Sequence, residues 1–233
     1  MIGIIAAMDI EMSDIKSKMT DARQDTVSGI EFTIGKLYGT DAAVARSGIG
    51  KVFAAVCAEI MILRYSPDII ISGGVAGALS DELSCTDLAI AESLVQHDMD
   101  TSALGDPVGL VSGINRIFFP VSDKYMPLLC TAAERCGVKY QKGVIASGDK
   151  FIGNASDKDR IRSAFDAIAC EMESAAIAHV CYINGTEMLA LRAISDSANS
   201  SAKESYENVL EAAAEVSASV ILEFVRGYSE LHA

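Results

Sequence analysis

Four short polar clusters, each carrying a carboxylate, stand where apolar runs give way to turns: Met8-Asp9-Ile10-Glu11, Ser147-Gly148-Asp149-Lys150-Phe151-Ile152, Cys170-Glu171-Met172-Glu173 and Arg192-Ala193-Ile194-Ser195-Asp196. Leu189 to Asp196 is apolar without strict alternation, as expected of a strand covered on both faces, yet Arg192 interrupts the run and Asp196 closes it. Burying charge is costly, so both residues need partners. Ligands sit at the carboxyl ends of strands in open α/β sheets, and a shielded carboxyl group there is placed to deliver a proton. Glu171 and Glu173 flank a methionine among apolar neighbours, an unusual setting for surface acids. Carboxylates accept well from paired hydroxyls such as those of a ribose, and Met172 can pack on the sugar face. Arg192 is suited to pair with one of these carboxylates and fix it. Glu11 falls in a first helical turn, either as a helix-dipole carboxylate or as part of a site. Phe151 either packs in the core or offers a ring for a planar base to stack on, with the backbone at Ile152 reading the base edge.

The elements that must position these clusters alternate between strand and helix. Strands are expected at Ile2–Met8, Glu31–Leu37, Ala42–Ser47, Asp68–Ser72, Asp87–Val95, Gly143–Ser147 and Leu189–Asp196. Helices are expected at Asp9–Met19, Lys51–Tyr65, near Asp123–Cys136, from about Glu171 to Tyr182 and from about Lys203 to Val225. Tyr38-Gly39-Thr40-Asp41 reads as a hairpin connection. Gly73-Gly74-Val75-Ala76-Gly77, just past a strand, reads as a turn serving either tight packing or close approach of a ligand. Tyr206, Val209, Leu210, Ala213, Val216, Val220, Ile221 and Phe224 form one apolar stripe, the core face of the last helix.

The chain has 233 residues, half of them hydrophobic, four prolines and no Gly/Ser-rich linker, which reads as one α/β domain spanning residues 1–233. A formal charge of −13 argues against a nucleic-acid surface. Six cysteines with no CxxC pair, and three histidines at no metal-like spacing from them, point to a reducing compartment and no metal site. No apolar run is long enough to span a membrane, and the opening strand follows no basic region or cleavage site, so a cytoplasmic location is expected.

Taken together, Ala6-Ala7-Met8-Asp9-Ile10-Glu11, Ser47-Gly48-Ile49-Gly50-Lys51, Ser147–Ile152, Glu171-Met172-Glu173 and Arg192–Asp196 stand in an order and spacing that resembles the bacterial 5′-methylthioadenosine/S-adenosylhomocysteine nucleosidases of the nucleoside phosphorylase superfamily. The likeness covers nearly the whole chain. It implies a mixed central sheet flanked by helices, a homodimer, and hydrolysis of the bond between adenine and a 5′-thio-substituted ribose without metal or cofactor, as in methionine salvage and methyl-cycle clearance. By the resemblance Asp196 protonates N7 of the departing adenine and Glu11 orients and activates water. Glu173 holds the ribose hydroxyls, Met172 packs on the sugar, Arg192 supports the water and ribose network, Phe151 stacks on adenine and Ile152 reads its edge. The same motifs put Met8, Ile49, Gly77, Glu171, Ser195, Tyr206, Thr101 and Leu104 among the substrate-binding positions, the last two reaching the partner's 5′-substituent pocket.

The chain departs from the family pattern at Val75, where serine is frequent, at Thr101 and Leu104, where valine and phenylalanine are, and at Tyr206, where phenylalanine is. These changes bear on the 5′ group more than on the reaction. Gly74–Gly77 and Leu94–Asp98 resemble a branch that also hydrolyses aminodeoxyfutalosine, which makes that nucleoside, with 5′-deoxyadenosine, an additional candidate substrate. Two other readings stand beside this one. A phosphorylase of the same superfamily would need cationic or backbone donors for phosphate, which Glu11 would repel. A non-catalytic nucleoside-binding protein would be expected to lack Asp196 or Glu11.

Overall fold

The structure, a computed structural model, describes residues 1–196 and 202–232, with the side chains of 202–208 outside the description. The first strand, β1 (Ile2–Ala6), is buried along its whole length because helices cover both its faces. It lies parallel to β4 (Thr40–Arg46) on one side and β5 (Ile69–Ser72) on the other. An antiparallel meander of β2 (Thr20–Val27), β3 (Ile30–Leu37) and β4 forms that edge. The other half is built from β6 (Val75–Ala78), β7 (Leu88–Gln96), β8 (Phe118–Pro120), β9 (Tyr140–Ser147) and β10 (Ala167–Glu171).

The ten-residue strand β11 (Glu187–Asp196) joins the halves. Its first part runs parallel to β5 from Glu187 to Ala190. Its second part pairs antiparallel with β7 through Leu191–Ala193 and parallel with β6 from Ala193 to Asp196. The described strands thus run β2-β3-β4-β1-β5-β11-β6-β10-β9-β7-β8, and the extra β7–β11 pairing closes the second half on itself. The expected mixed central sheet flanked by helices is the observed one.

Successive residues of the buried strands feed opposite cores. Ile5, Ile70 and Ala190 pack with Ala54 and Met61 of α2 (Lys51–Tyr65) and Ile177 of α5 (Ser174–Asn184). Ile4, Ile71 and Leu189 face Ile15 of α1 (Ser13–Ser17), Leu129 of α3 (Met126–Arg135) and Phe224 of α6 (Ala202–Leu231). A third, smaller cluster seats Ile161 and Phe165 of α4 (Ala155–Phe165) on Ala146, Ile152 and Cys170. On α6 the expected stripe buries Ala213, Val220, Ile221 and Phe224, and its Tyr206 side chain lies outside the described residues.

Several expectations need correction. The helix expected over Asp9–Met19 is a 3-10 turn at Asp9–Glu11 followed by α1, because Met12 between them leaves helical geometry. Strand β2 is missed from sequence because Thr20–Val27 is almost wholly exposed and carries no apolar alternation. Only Gly73 and Gly74 make the expected glycine turn, since Val75 already belongs to β6. The helix expected from Glu171 starts at Ser174, because Glu171 is the last residue of β10. Helix α4, capped by the Asn154 side chain on the Asp157 amide, is polar enough to pass for a loop.

Phe224 is fully buried where α6 meets the sheet. Phe224→Ala should lower unfolding free energy by about 3–5 kcal/mol, read from urea denaturation, with the m-value unchanged.

Candidate active site

The carboxyl ends of β1, β9, β10 and β11 converge on a cavity of about 170 Å³. Met8, Glu11, Gly77 and Ser195 line it together with Asp196, and so do Glu171, Met172 and Glu173. Ile49, Phe151 and Ile152 complete the set of sequence-expected residues on its wall. Phe151 and Ile49 are more than half exposed at the mouth, whereas Ile152 is buried. Val75 and Cys170 also line the cavity.

Glu11 reaches the cavity from the turn after β1. Its Oε2 accepts from the Ala7 and Met8 amides at 3.0 and 2.9 Å, and its Oε1 from the Val75 amide at 3.0 Å. This approach explains one glycine of the cluster. A Cβ on Gly74, whose φ is +144°, would lie 2.4 Å from Glu11 Oε1. Burial raises the Glu11 pKa, opposed by Arg192 and by the three amides.

Glu171 is held by donors from several elements. It accepts from Ser147 Oγ of β9, from Ser174 N and Oγ at 2.9 Å each, and from Arg192 Nη2 at 2.7 Å. The predicted pairing of Arg192 with an acid of this cluster is therefore present, and both side chains are almost completely buried. Arg192 spends its other donors on the Ser72 and Leu191 carbonyls and on Ser72 Oγ. It supports the wall from behind and does not itself line the cavity.

Glu173 accepts from the Gly50 amide at 2.8 Å. Burial, reinforced by the charge of Glu171, pushes its pKa up to about 7, against a lowering by Arg192. Asp196, the strand-end carboxylate, packs against Gly77, where an added Cβ would sit 3.0 Å from both carboxylate oxygens. Its Oδ2 accepts from Lys158 Nζ at 2.9 Å, and Ser195 Oγ donates to Oδ1 at 3.4 Å. Sequence reading missed Lys158 because its Asp-Lys-Asp run lies in a polar stretch that passes for a loop.

A small polar network ties the loops at the mouth together. Asp98 takes Lys51 Nζ at 2.6 Å and the Asp149 amide at 2.8 Å, while Asp149 Oδ1 takes the Lys51 amide at 2.8 Å. Thr101 and Leu104 follow on this loop but do not line the cavity of the single chain, and Leu104 is 83% exposed. The Tyr206 side chain lies outside the described residues. Among the described residues no cluster of His, Cys, Asp or Glu is arranged to hold a metal ion.

Such a cavity can bind a neutral, hydroxyl-bearing ligand with an aromatic part near Phe151. Its buried carboxylates are able to take up and return protons at the bound ligand.

The family model of the phosphorylase superfamily matches residues 1–226. A 5′-methylthioadenosine/S-adenosylhomocysteine nucleosidase of Marinomonas sp. is 34% identical over 229 residues, covering 97% of this chain and 98% of that protein. The crystal structure of the nucleosidase of the same name from Neisseria meningitidis, in complex with methylthio-immucillin-A, superposes with a TM-score of 0.93 at 32% identity, covering 97% of this chain and 98% of that one. A futalosine hydrolase of Helicobacter pylori superposes with a TM-score of 0.92 at 35% identity, covering 96% of each chain.

The raised pKa of Glu173 has a consequence for stability. Between the ordinary value of 4.5 and about 7 the folded protein binds a proton that the unfolded chain releases, so this group destabilises the fold increasingly as pH rises through that window. Glu173→Gln keeps an acceptor for Gly50 and removes the titration. Its urea midpoint should gain on that of the parent as pH rises from 4.5 to about 7, and a pH-independent difference would contradict the assignment.

Proposed function

The chain belongs to the 5′-methylthioadenosine/S-adenosylhomocysteine nucleosidases of the phosphorylase superfamily, and from that premise we propose that its cavity hydrolyses the N-glycosidic bond of these two nucleosides. The products are adenine and the 5′-thioribose. One observation carries the reading: Glu11 from the turn after β1 and Asp196 from the end of β11 line one cavity together with Glu173.

Breaking a nucleosidic bond builds positive charge on the sugar and negative charge on the base. Asp196 delivers a proton to N7, so the base leaves as a neutral purine. Glu11 orients water and takes its proton, a task that the rise in its pKa on burial assists, and its negative charge stabilises the oxocarbenium-like sugar. Glu173 accepts from the ribose hydroxyls, Met172 packs on the sugar, Phe151 stacks on adenine and the Ile152 backbone reads the base edge. Arg192 acts through Glu171, by keeping that carboxylate and the adjoining Glu173 in place.

A phosphorylase would need cations facing the cavity. Among the described residues no arginine lines it, the lining Lys150 is paired with Asp157 at 2.6 Å, and Arg192 behind the wall is committed to Glu171 and Ser72. Water is therefore the acceptor. Aminodeoxyfutalosine is an additional substrate in this reading, supported by the likeness to the futalosine hydrolase of Helicobacter pylori.

The same reading makes the enzyme a homodimer. Helix α2 leaves Val52, Phe53 and Val56 exposed, and α5, packed against it, leaves Tyr182 and Ile183 exposed, an apolar surface suited to a second copy. Thr101 and Leu104 of one protomer then close the 5′ pocket of its partner. Six free cysteines suit the reducing cytoplasm.

Purified protein should release adenine from 5′-methylthioadenosine in phosphate-free buffer, followed by chromatography, and Asp196→Asn should fold normally yet turn over about 100-fold more slowly or worse. A strict phosphate requirement, or near-normal turnover in the folded variant, would overturn this reading. Leu104→Glu should raise KM for 5′-methylthioadenosine by about tenfold and for adenosine far less, since only the former fills the shared pocket. Equal effects on both substrates, or full activity from a monomer in sedimentation, would remove the second copy from the site.

A further inference from the structure

The proposed reaction asks Asp196 to give a proton to the purine. Asp196 is one half of an ion pair with Lys158, with side chains only 2% and 6% exposed. Lys158 Nζ offers an N–H proton 2.9 Å from Oδ2, from α4, which packs on β9 and β10.

We propose that Lys158 supplies the proton that Asp196 passes to the leaving purine. The inference rests on the nucleosidase reading and assigns the origin of the acid in it. As the C1′–N9 bond breaks, its electron pair moves into the purine ring and makes N7 strongly basic. Lys158 Nζ hands a proton to Oδ2 of Asp196, and the carboxyl group so formed passes that proton to N7. An N–H bond of Lys158 is lost, an N7–H bond is gained, and Asp196 ends as the carboxylate it began. Water adds to C1′ and its proton goes to Glu11. Glu11 then releases that proton to solvent and Lys158 takes one back, so the cycle closes without any other reactant.

The residue type fits this task. A lysine ammonium is a compact donor whose charged state is readily given up in a buried setting, whereas an arginine keeps its proton. Passing the proton along neutralises both the ammonium and the anionic base and leaves Asp196 as the one remaining charge of the three, which a low-dielectric cavity favours. Among the described residues, Cys170 of β10 is a titratable group beside the pair. Burial pushes its thiol up to about 12, so it neither offers nor takes the proton around neutrality. Glu171 and Glu173, farther along the same wall, are held by Arg192 and Gly50. Lys158 acts through Asp196 and is a positioning residue, with the added duty of proton supply.

The test compares the parent enzyme, Lys158→Met and Lys158→Arg on two substrates. One is 5′-methylthioadenosine, and the other is a nitrophenyl glycoside of 5-methylthioribose, whose leaving group departs as an anion and needs no proton. The readout is the ratio of the two turnover numbers, which does not depend on how much of a variant is folded. In both variants this ratio should fall about 100-fold relative to the parent. An unchanged ratio in Lys158→Met would show that Lys158 only supports the fold. A ratio restored in Lys158→Arg would show that a fixed positive charge suffices, and either result overturns proton supply. A parent enzyme that releases no adenine would instead overturn the nucleosidase reading beneath it.

Discussion

The buried contact between Arg192 and Glu171 is the constraint on which the site is built. Arg192 projects from the middle of β11 and bonds to Ser72 at the end of β5 and to Glu171 at the end of β10. Glu171 in turn is fixed by Ser147 of β9 and by Ser174, the first residue of α5. One ion pair therefore ties together three strand ends, the middle of a fourth strand and a helix start. Such a pair adds little net stability over an apolar substitute, but removing one partner strands a buried charge at a cost of about 3–5 kcal/mol. Its value here is geometric, because Met172 and Glu173 follow directly on Glu171 and inherit their positions from it.

Around this anchor the fold concentrates acids that repel one another. Glu11, Glu171, Glu173 and Asp196 line one small cavity, and two of them have pKa values raised by burial. Glycine makes the crowding possible, since at Gly74 and Gly77 any side chain would meet a carboxylate. Burying these acids together costs stability. The arrangement suits a transition state in which the sugar turns cationic, because the negative field is in place before the bond breaks.

Much of this was legible in the sequence where local pattern and long-range packing agree. Helix α2 begins and ends where its glycine entry and Pro67 place it, and the charged interruption of β11 correctly called for a buried acid partner. What was lost lies where a segment's role depends on contacts that its own residues do not announce. Thr20–Val27 is a strand only because β3 offers an edge, and α4 carries too few apolar residues to show its buried face. With α4 unseen, Lys158 had no reason to be placed beside Asp196. Thr101 and Leu104 are the opposite case, named by the resemblance but left away from the cavity by a single chain. The residues that resemble the nucleosidase family named most of the cavity wall, but the support behind it came only with the three-dimensional arrangement.

The central claim is that this cavity directs water, and no other nucleophile, at the sugar of a thio-substituted adenosine. The most direct measurement is turnover of 5′-methylthioadenosine in oxygen-labelled water with inorganic phosphate also present, with mass analysis of the sugar product. The account predicts one labelled oxygen in the 5-methylthioribose and none in the adenine. Unlabelled 5-methylthioribose-1-phosphate as the product would contradict it.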